Sequence, residues 1–113
     1  MAAILSATTL AGDKVTNAKG EDLGKVEELM IDLESGRVAY AVLSFGAGFL
    51  KSGKLFAVPW GSLSVDQKNK QLILNVTREM LETAEGFEKD HWPDMADPAF
   101  MKSTYSHYGI QPW

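Results

Sequence analysis

The chain predicts an all-β fold: a small barrel of bulged, strongly bent strands, with a short helix and an aromatic carboxyl-terminal extension. Three observations carry this. Two long apolar runs, residues 26–33 and 38–45, meet across Glu34, Ser35 and Gly36. A third run, residues 55–58, follows a glycine-studded loop and stops at Pro59. Short apolar strands punctuated by Gly and Pro are the pattern of a small β domain. With 113 residues the chain has room for one domain and an appendage. The division expected is residues 1–86 for the barrel and 87–113 for the extension.

From the amino terminus, Thr8 to Leu10 and Lys14 to Thr16 flank Ala11-Gly12-Asp13 and read as short extended segments around a turn. Asn17-Ala18-Lys19-Gly20 is turn chemistry ahead of the first long strand. In that strand Val26 has one parity, while Leu29 and Ile31 share the other. A strict period of two cannot bury all three, so the pattern predicts a β-bulge near Glu27-Glu28. Small barrels use such bulges to bend their strands toward closure.

Asp32 to Gly36 reads as a tight hairpin connection, with Gly36 free to take a positive φ. The next strand is apolar on both faces. Val38, Tyr40 and Val42 line one; Ala39, Ala41, Leu43 and Phe45 line the other. A half-exposed strand alternates with polar residues, so something must cover the outer face. The cover is the carboxyl-terminal tail, a second copy or another protein.

Residues 63–66 and 71–74 flank Gln67-Lys68-Asn69-Lys70 as a further hairpin. Thr77 is placed to cap a short helix whose apolar stripe is Met80, Leu81 and Ala84, with Gly86 as its stop. The last segment is aromatic: Phe87, Trp92, Phe100, Tyr105, Tyr108 and Trp113. Asp97-Pro98 is a cap followed by a proline at the first helical position, and Gly109 closes the run. Disordered tails are poor in aromatics, so this one is expected to dock.

Composition narrows the function classes. The net charge is −4 with acids and bases interspersed, which counts against nucleic acid, whose binding needs neutralised phosphates. There is no cysteine, which removes disulfides, thiolate metal sites and cysteine nucleophiles together. The first residues, Met-Ala-Ala-Ile-Leu-Ser-Ala, have neither the basic start nor the apolar run of a secretory signal. No run approaches the ~20 apolar residues of a membrane helix. The cytoplasm is the expected location.

No motif spells out a reaction. Residues 48–55 approach the phosphate loop G-x-x-x-x-G-K-[ST], but Leu55 replaces the hydroxyl that would hold magnesium and a strand is expected to follow. The glycines read better as a turn. His91 and His107 are the only histidines. Asp90 and Asp94 near His91 lack metal-ligand spacing. Glu27 and Glu28 are adjacent on a strand and point to opposite faces unless the bulge realigns them. With Asp32 they read as solvated charges. Asn75-Val76-Thr77 matches a glycosylation sequon, but its Thr is already assigned to a helix cap. No cofactor, metal or catalytic set is expected. Pro59 and Trp60 read as a barrel plug or as an aromatic anchor for a partner.

These motifs together resemble the PRC-barrel family, named after the cytoplasmic domain of the photosynthetic reaction-centre H subunit. They are Gly20-Glu-Asp-Leu-Gly24-Lys-Val26, Asp32-Leu-Glu-Ser-Gly36-Arg37, Val38-Ala-Tyr-Ala-Val-Leu43 and Val58-Pro59-Trp60, and they span about Leu10 to Leu81. The resemblance implies a β-barrel and a habit of binding proteins, in the manner of stand-alone bacterial members. It implies no electron transfer, because the H subunit's membrane helix has no counterpart here. The expectation is a non-enzymatic interaction module, with an unidentified protein partner and self-association as a homodimer. Contacts are expected from Tyr40, Phe45, Phe49, Trp60, Trp92, Tyr105, Tyr108 and Trp113. The alternative is an RNA- or ribosome-associated maturation factor, which the fold suggests and the charge opposes. An enzyme or small-ligand binder using the Gly46–Lys54 loop ranks last.

Overall fold

The computed structural model describes residues 4–45, 54–84 and 86–110, with only the backbone described at Arg78. In chain order the elements are α1 (Ala7–Leu10), β1 (Lys14–Thr16), β2 (Asp22–Ile31), β3 (Val38–Ser44) and β4 (Leu55–Pro59). A 3₁₀ turn (Trp60–Ser62) leads to β5 (Leu63–Asp66), β6 (Gln71–Leu74), α2 (Arg78–Glu82) and α3 (Pro98–His107).

The six strands form one sheet in the order β4-β3-β2-β1-β6-β5. β1 and β6 pair parallel, and the other neighbours pair antiparallel. The connectivity forces curvature. β4 and β5 are opposite edges of the sheet, yet only the three-residue turn Trp60–Ser62 separates them. Pro59 and Leu63 can be at most about 14 Å apart along an extended chain, whereas the edges of a flat six-stranded sheet lie about 24 Å apart. The sheet therefore curls into a half-barrel around its apolar face.

The bulge expected near Glu27-Glu28 is present: the β2–β3 register shifts between Val26 and Glu28. Val26 is buried and Leu29 packs against the same core. Ile31 departs from expectation. A second register shift between Met30 and Ile31 turns it outward, and it is 47% exposed. At the hairpin, Gly36 has φ +75° and donates its N–H to the Asp32 carbonyl at 2.8 Å. Gly24 carries the other backbone requirement. Its φ is +133°, and a Cβ there would run into the Ser44 carbonyl oxygen of β3.

Two helical details also differ from the sequence reading. Thr8 to Leu10 were expected extended but belong to α1, because the Ser6 hydroxyl accepts the Thr9 N–H at 3.1 Å and nucleates a turn. Thr77 caps α2 as expected, accepting the Met80 N–H at 3.1 Å, but the helix ends at Glu82 rather than at Gly86. Gly86 instead passes under Phe56, where a Cβ would meet the ring at 2.8 Å.

The main core fills the concave side of the sheet with Val15, Leu23, Val26, Leu43, Phe56 and Leu72, closed by Leu81 of α2. A second apolar cluster lies outside it. There Ala39 and Tyr40 of β3 and Ala57 of β4 meet Tyr105 of α3, with Phe87, Phe100 and Met101 packed around them. The outer face of β3 is thus covered by the chain's own tail. Asp97 caps α3 through the Ala99 N–H at 3.0 Å, and Pro98 opens the helix.

Candidate functional site

The residues expected to make contacts fall into distinct environments. Tyr40, Phe45, Tyr105 and Tyr108 are all buried within the chain. Tyr40 sits edge-on to Tyr105, with centroids 5.7 Å apart at 81°, and tilts against Phe100 at 5.8 Å. Its O–H donates to the Met95 carbonyl at 3.4 Å. Tyr105 donates to the Ala39 carbonyl at 2.7 Å, which ties α3 to β3. Burial, then the neighbouring Tyr105, pushes the Tyr40 phenol up to about 12. Burial likewise raises Tyr105 and Tyr108.

Phe45 stacks on Phe56 in the main core at 4.1 Å. Trp60 is partly buried against that core. The Tyr108 hydroxyl is buried and has no hydrogen-bond partner among the described residues. Trp92 is 39% exposed, tilts against Phe87 at 5.1 Å, and donates its indole N–H to the Lys89 carbonyl at 2.8 Å. Phe49 and Trp113 lie outside the described residues.

The groups weighed for chemistry do not assemble into a set. The Ser44 hydroxyl donates to Glu27 at 2.8 Å, and Lys25 lies 3.8 Å from the same oxygen. Glu28 is exposed. Asp32 is committed to the hairpin, accepting the Glu34 N–H at 3.1 Å and the Ser35 hydroxyl at 2.9 Å. His107 places Nε2 3.0 Å from the Met80 carbonyl and joins α3 to α2. His91 is exposed. Among the described residues no cluster of three His, Asp or Glu side chains could hold a metal. Of the glycine loop, Lys54 and Leu55 are described: Lys54 pairs with Glu88 at 3.7 Å, and Leu55 opens β4, so a strand follows the loop. Gly48 to Gly53 lie outside the described residues.

The surface carries more. Six large apolar side chains are exposed among the described residues: Ile4, Leu5, Ile31, Leu33, Val65 and Trp92. Four of them line two grooves. The larger groove, about 590 Å³, opens between the β2–β3 hairpin and the segment leading into α3. Its apolar lining is Met30, Ile31, Leu33, Met95 and Met101, with the buried Ala39 and Tyr40 beneath and Asp32 and Glu34 at its edge. The second groove, about 220 Å³, runs beside edge strand β5 and α1, between Leu5, Val65, Asp13, Asp66 and Lys70. The Asn69 side-chain amide, then its backbone N–H, holds the Asp66 carboxyl below its ordinary value.

Sequence reasoning missed the hairpin groove. Its signals were an apolar Leu33 inside a polar turn and three of the five methionines, Met30, Met95 and Met101, at sites far apart in the chain. Only folding brings those methionines together.

No described helix is long and apolar enough to cross a membrane. A family model described as PRC-barrel domain matches residues 4–81, well over half of the chain and ending ahead of the aromatic tail. The comparison with curated proteins finds no match.

Proposed function

The chain belongs to the PRC-barrel domain family, and from that premise we propose that it works as a cytoplasmic, non-enzymatic protein-interaction module that self-associates. Domains of this family commonly mediate protein contacts. The observation that carries the reading is where the exposed apolar side chains fall. Four of the six gather at two places, Leu5 and Val65 at the β5 edge and Ile31 and Leu33 at the β2–β3 hairpin, instead of scattering singly.

The β5 face is the one suited to a second copy. A twofold interface must complement itself, so a patch that carries charges of both signs can set an acid against a base across the axis. This patch has both signs, with Asp13 and Asp66 against Lys70, around Leu5 and Val65. An edge strand also offers backbone groups for pairing. The aromatics buried in the chain's own interior serve the fold, and the β5 face is assigned to the dimer in their place.

Sedimentation equilibrium tests this directly. The wild-type chain is expected to show a monomer–dimer equilibrium in the micromolar range, and a Leu5→Glu, Val65→Glu double variant is expected to be monomeric. A monomeric wild type at high micromolar concentration sinks the self-association. A crosslinked pull-down with and without nuclease separates the module from a ribosome- or RNA-associated factor. Partners lost to nuclease would favour the latter, against which stand the acid-paired Lys14, Lys25 and Lys54.

A further inference from the structure

We propose that the groove between the β2–β3 hairpin and the α3 approach binds a short, basic, amphipathic segment of a partner protein. The inference rests on the interaction-module reading and names the chemistry of the partner at one of its two surfaces.

Three features define the occupant. The first is apolar surface without a cover. Leu33 is 92% exposed at the hairpin tip and Ile31 is 47% exposed beside it, both on the groove's edge. The second is the methionines. Met30 comes from β2, while Met95 and Met101 come from the tail, so the groove is built by two parts of the chain and lined with unbranched thioethers. Methionine re-packs around differently shaped apolar side chains, which suits a helical or extended segment better than one fixed small molecule.

The third feature is charge, and it selects the sign. Both charged residues lining the groove, Asp32 and Glu34, are acidic. Two more exposed acids, Asp94 and Asp97, flank the lining residues Met95 and Ala96 in sequence. Lys102 adjoins the lining residue Met101 and Arg37 lies two residues from Ala39, leaving acids in the majority. An isologous dimer through this face would bring two copies of Asp32 and Glu34 into one interface, and like charges gathered across an interface are disfavoured. A basic segment has the opposite effect. Its apolar face at helical spacing can meet the methionines and Leu33 while its Lys or Arg side chains reach the acids.

The test uses the full chain and three synthetic peptides: an amphipathic Leu/Lys helix former, its Leu/Glu counterpart, and a scrambled Leu/Lys sequence with the same composition. Binding is read by backbone amide NMR shifts and by calorimetry. The Leu/Lys peptide is expected to shift residues of the hairpin and of 94–101, and to bind more weakly as salt is raised. Leu33→Ser is expected to weaken it about tenfold or more through lost apolar burial. Glu34→Lys is expected to weaken it roughly threefold. Both positions are exposed, so neither change should disturb the fold.

Equal binding of the Leu/Glu peptide in this groove would overturn the charge assignment while leaving the groove as an interaction surface. Equal binding of the scrambled peptide would overturn the amphipathic requirement. Shifts confined to the β5 face, or no shifts with any peptide, would overturn the proposal altogether. Self-association, measured separately on the unliganded chain, stands or falls independently of all three outcomes.

Discussion

At the scale of single residues, the tyrosines separate hydroxyls that hold the fold from one that strains it. Tyr105 donates to the Ala39 carbonyl at 2.7 Å in a buried setting. Tyr105→Phe removes that donor and leaves the carbonyl short of a partner, a loss of about 1–3 kcal/mol. Tyr108 is the opposite case, because its buried hydroxyl has no partner among the described residues. Tyr108→Phe should therefore be neutral or stabilising by about 1 kcal/mol. Urea titration of both variants checks the contrast, and equal losses would show that the two hydroxyls are not distinguished in this way. Alkali acts on the same groups. A phenol whose folded value is raised favours the folded state while protonated. Its contribution is complete below the ordinary value of 10 and is lost as pH climbs toward the folded value of about 12 at Tyr40. Stability should thus hold to about pH 10 and fall above it, alongside tyrosinate absorbance. A melting temperature unchanged to pH 12 would contradict burial of these rings.

At the scale of elements, the critical crossing is where β2 meets both neighbours. Gly24 pairs with Val15 of β1, and its neighbour Lys25 pairs with Ser44 of β3. With φ at +133° and the Ser44 carbonyl where a Cβ would stand, Gly24→Ala meets both backbone strain and backbone collision. A loss of at least about 2 kcal/mol is expected, whereas Gly36→Ala at the open hairpin meets the positive φ alone and should cost less. Paired denaturant curves decide it. Elements of this kind were legible in the sequence wherever a local rule sufficed. The bulge followed from the parity conflict between Val26 and Leu29, the hairpin from Asp32 to Gly36, and the caps from Thr77 and Asp97. What failed locally failed for a reason: Ile31 needed the second register shift, and α1 needed the Ser6 cap to be weighed against the extended preference of two threonines. The candidate surface was hardly legible at all. Aromatic residues mark burial and binding equally in a sequence, and the structure shows Tyr40, Phe45, Tyr105 and Tyr108 inside. The hairpin groove joins Met30 to Met95 and Met101, a neighbourhood that no period or spacing encodes.

At the scale of the whole molecule, the question is whether the tail is an independent attachment or a part of one cooperative unit. The family match ends at residue 81, which on its own suggests a barrel that could stand without the rest. The packing argues otherwise. Ile110 touches both apolar clusters, and Tyr108 of the tail is counted within the main core itself. Phe87 exchanges both backbone hydrogen bonds with Leu55, at 2.9 and 2.8 Å, and so covers part of the β4 edge. His107 ties α3 to α2 across the Met80 carbonyl. Loosening the tail would expose Tyr40 and Ala57 and unpair the edge at once, so tail and barrel should melt together. Calorimetry of the full chain is expected to give a single transition. Truncation after Gly86 removes every tail contact, including those of Tyr105 and Tyr108. The truncated chain should melt more than about 10 °C lower, since each kcal/mol shifts the midpoint of a domain of this size by several degrees. It should also bind a hydrophobic dye through the bared outer face of β3. Two transitions in the full chain, with the upper one unchanged by truncation, would mean that the barrel is stable alone and the tail only rests on it. The methionine-lined groove, one wall of which the tail supplies through Met95, Ala96 and Met101, would then open and close with the tail rather than stand ready-made.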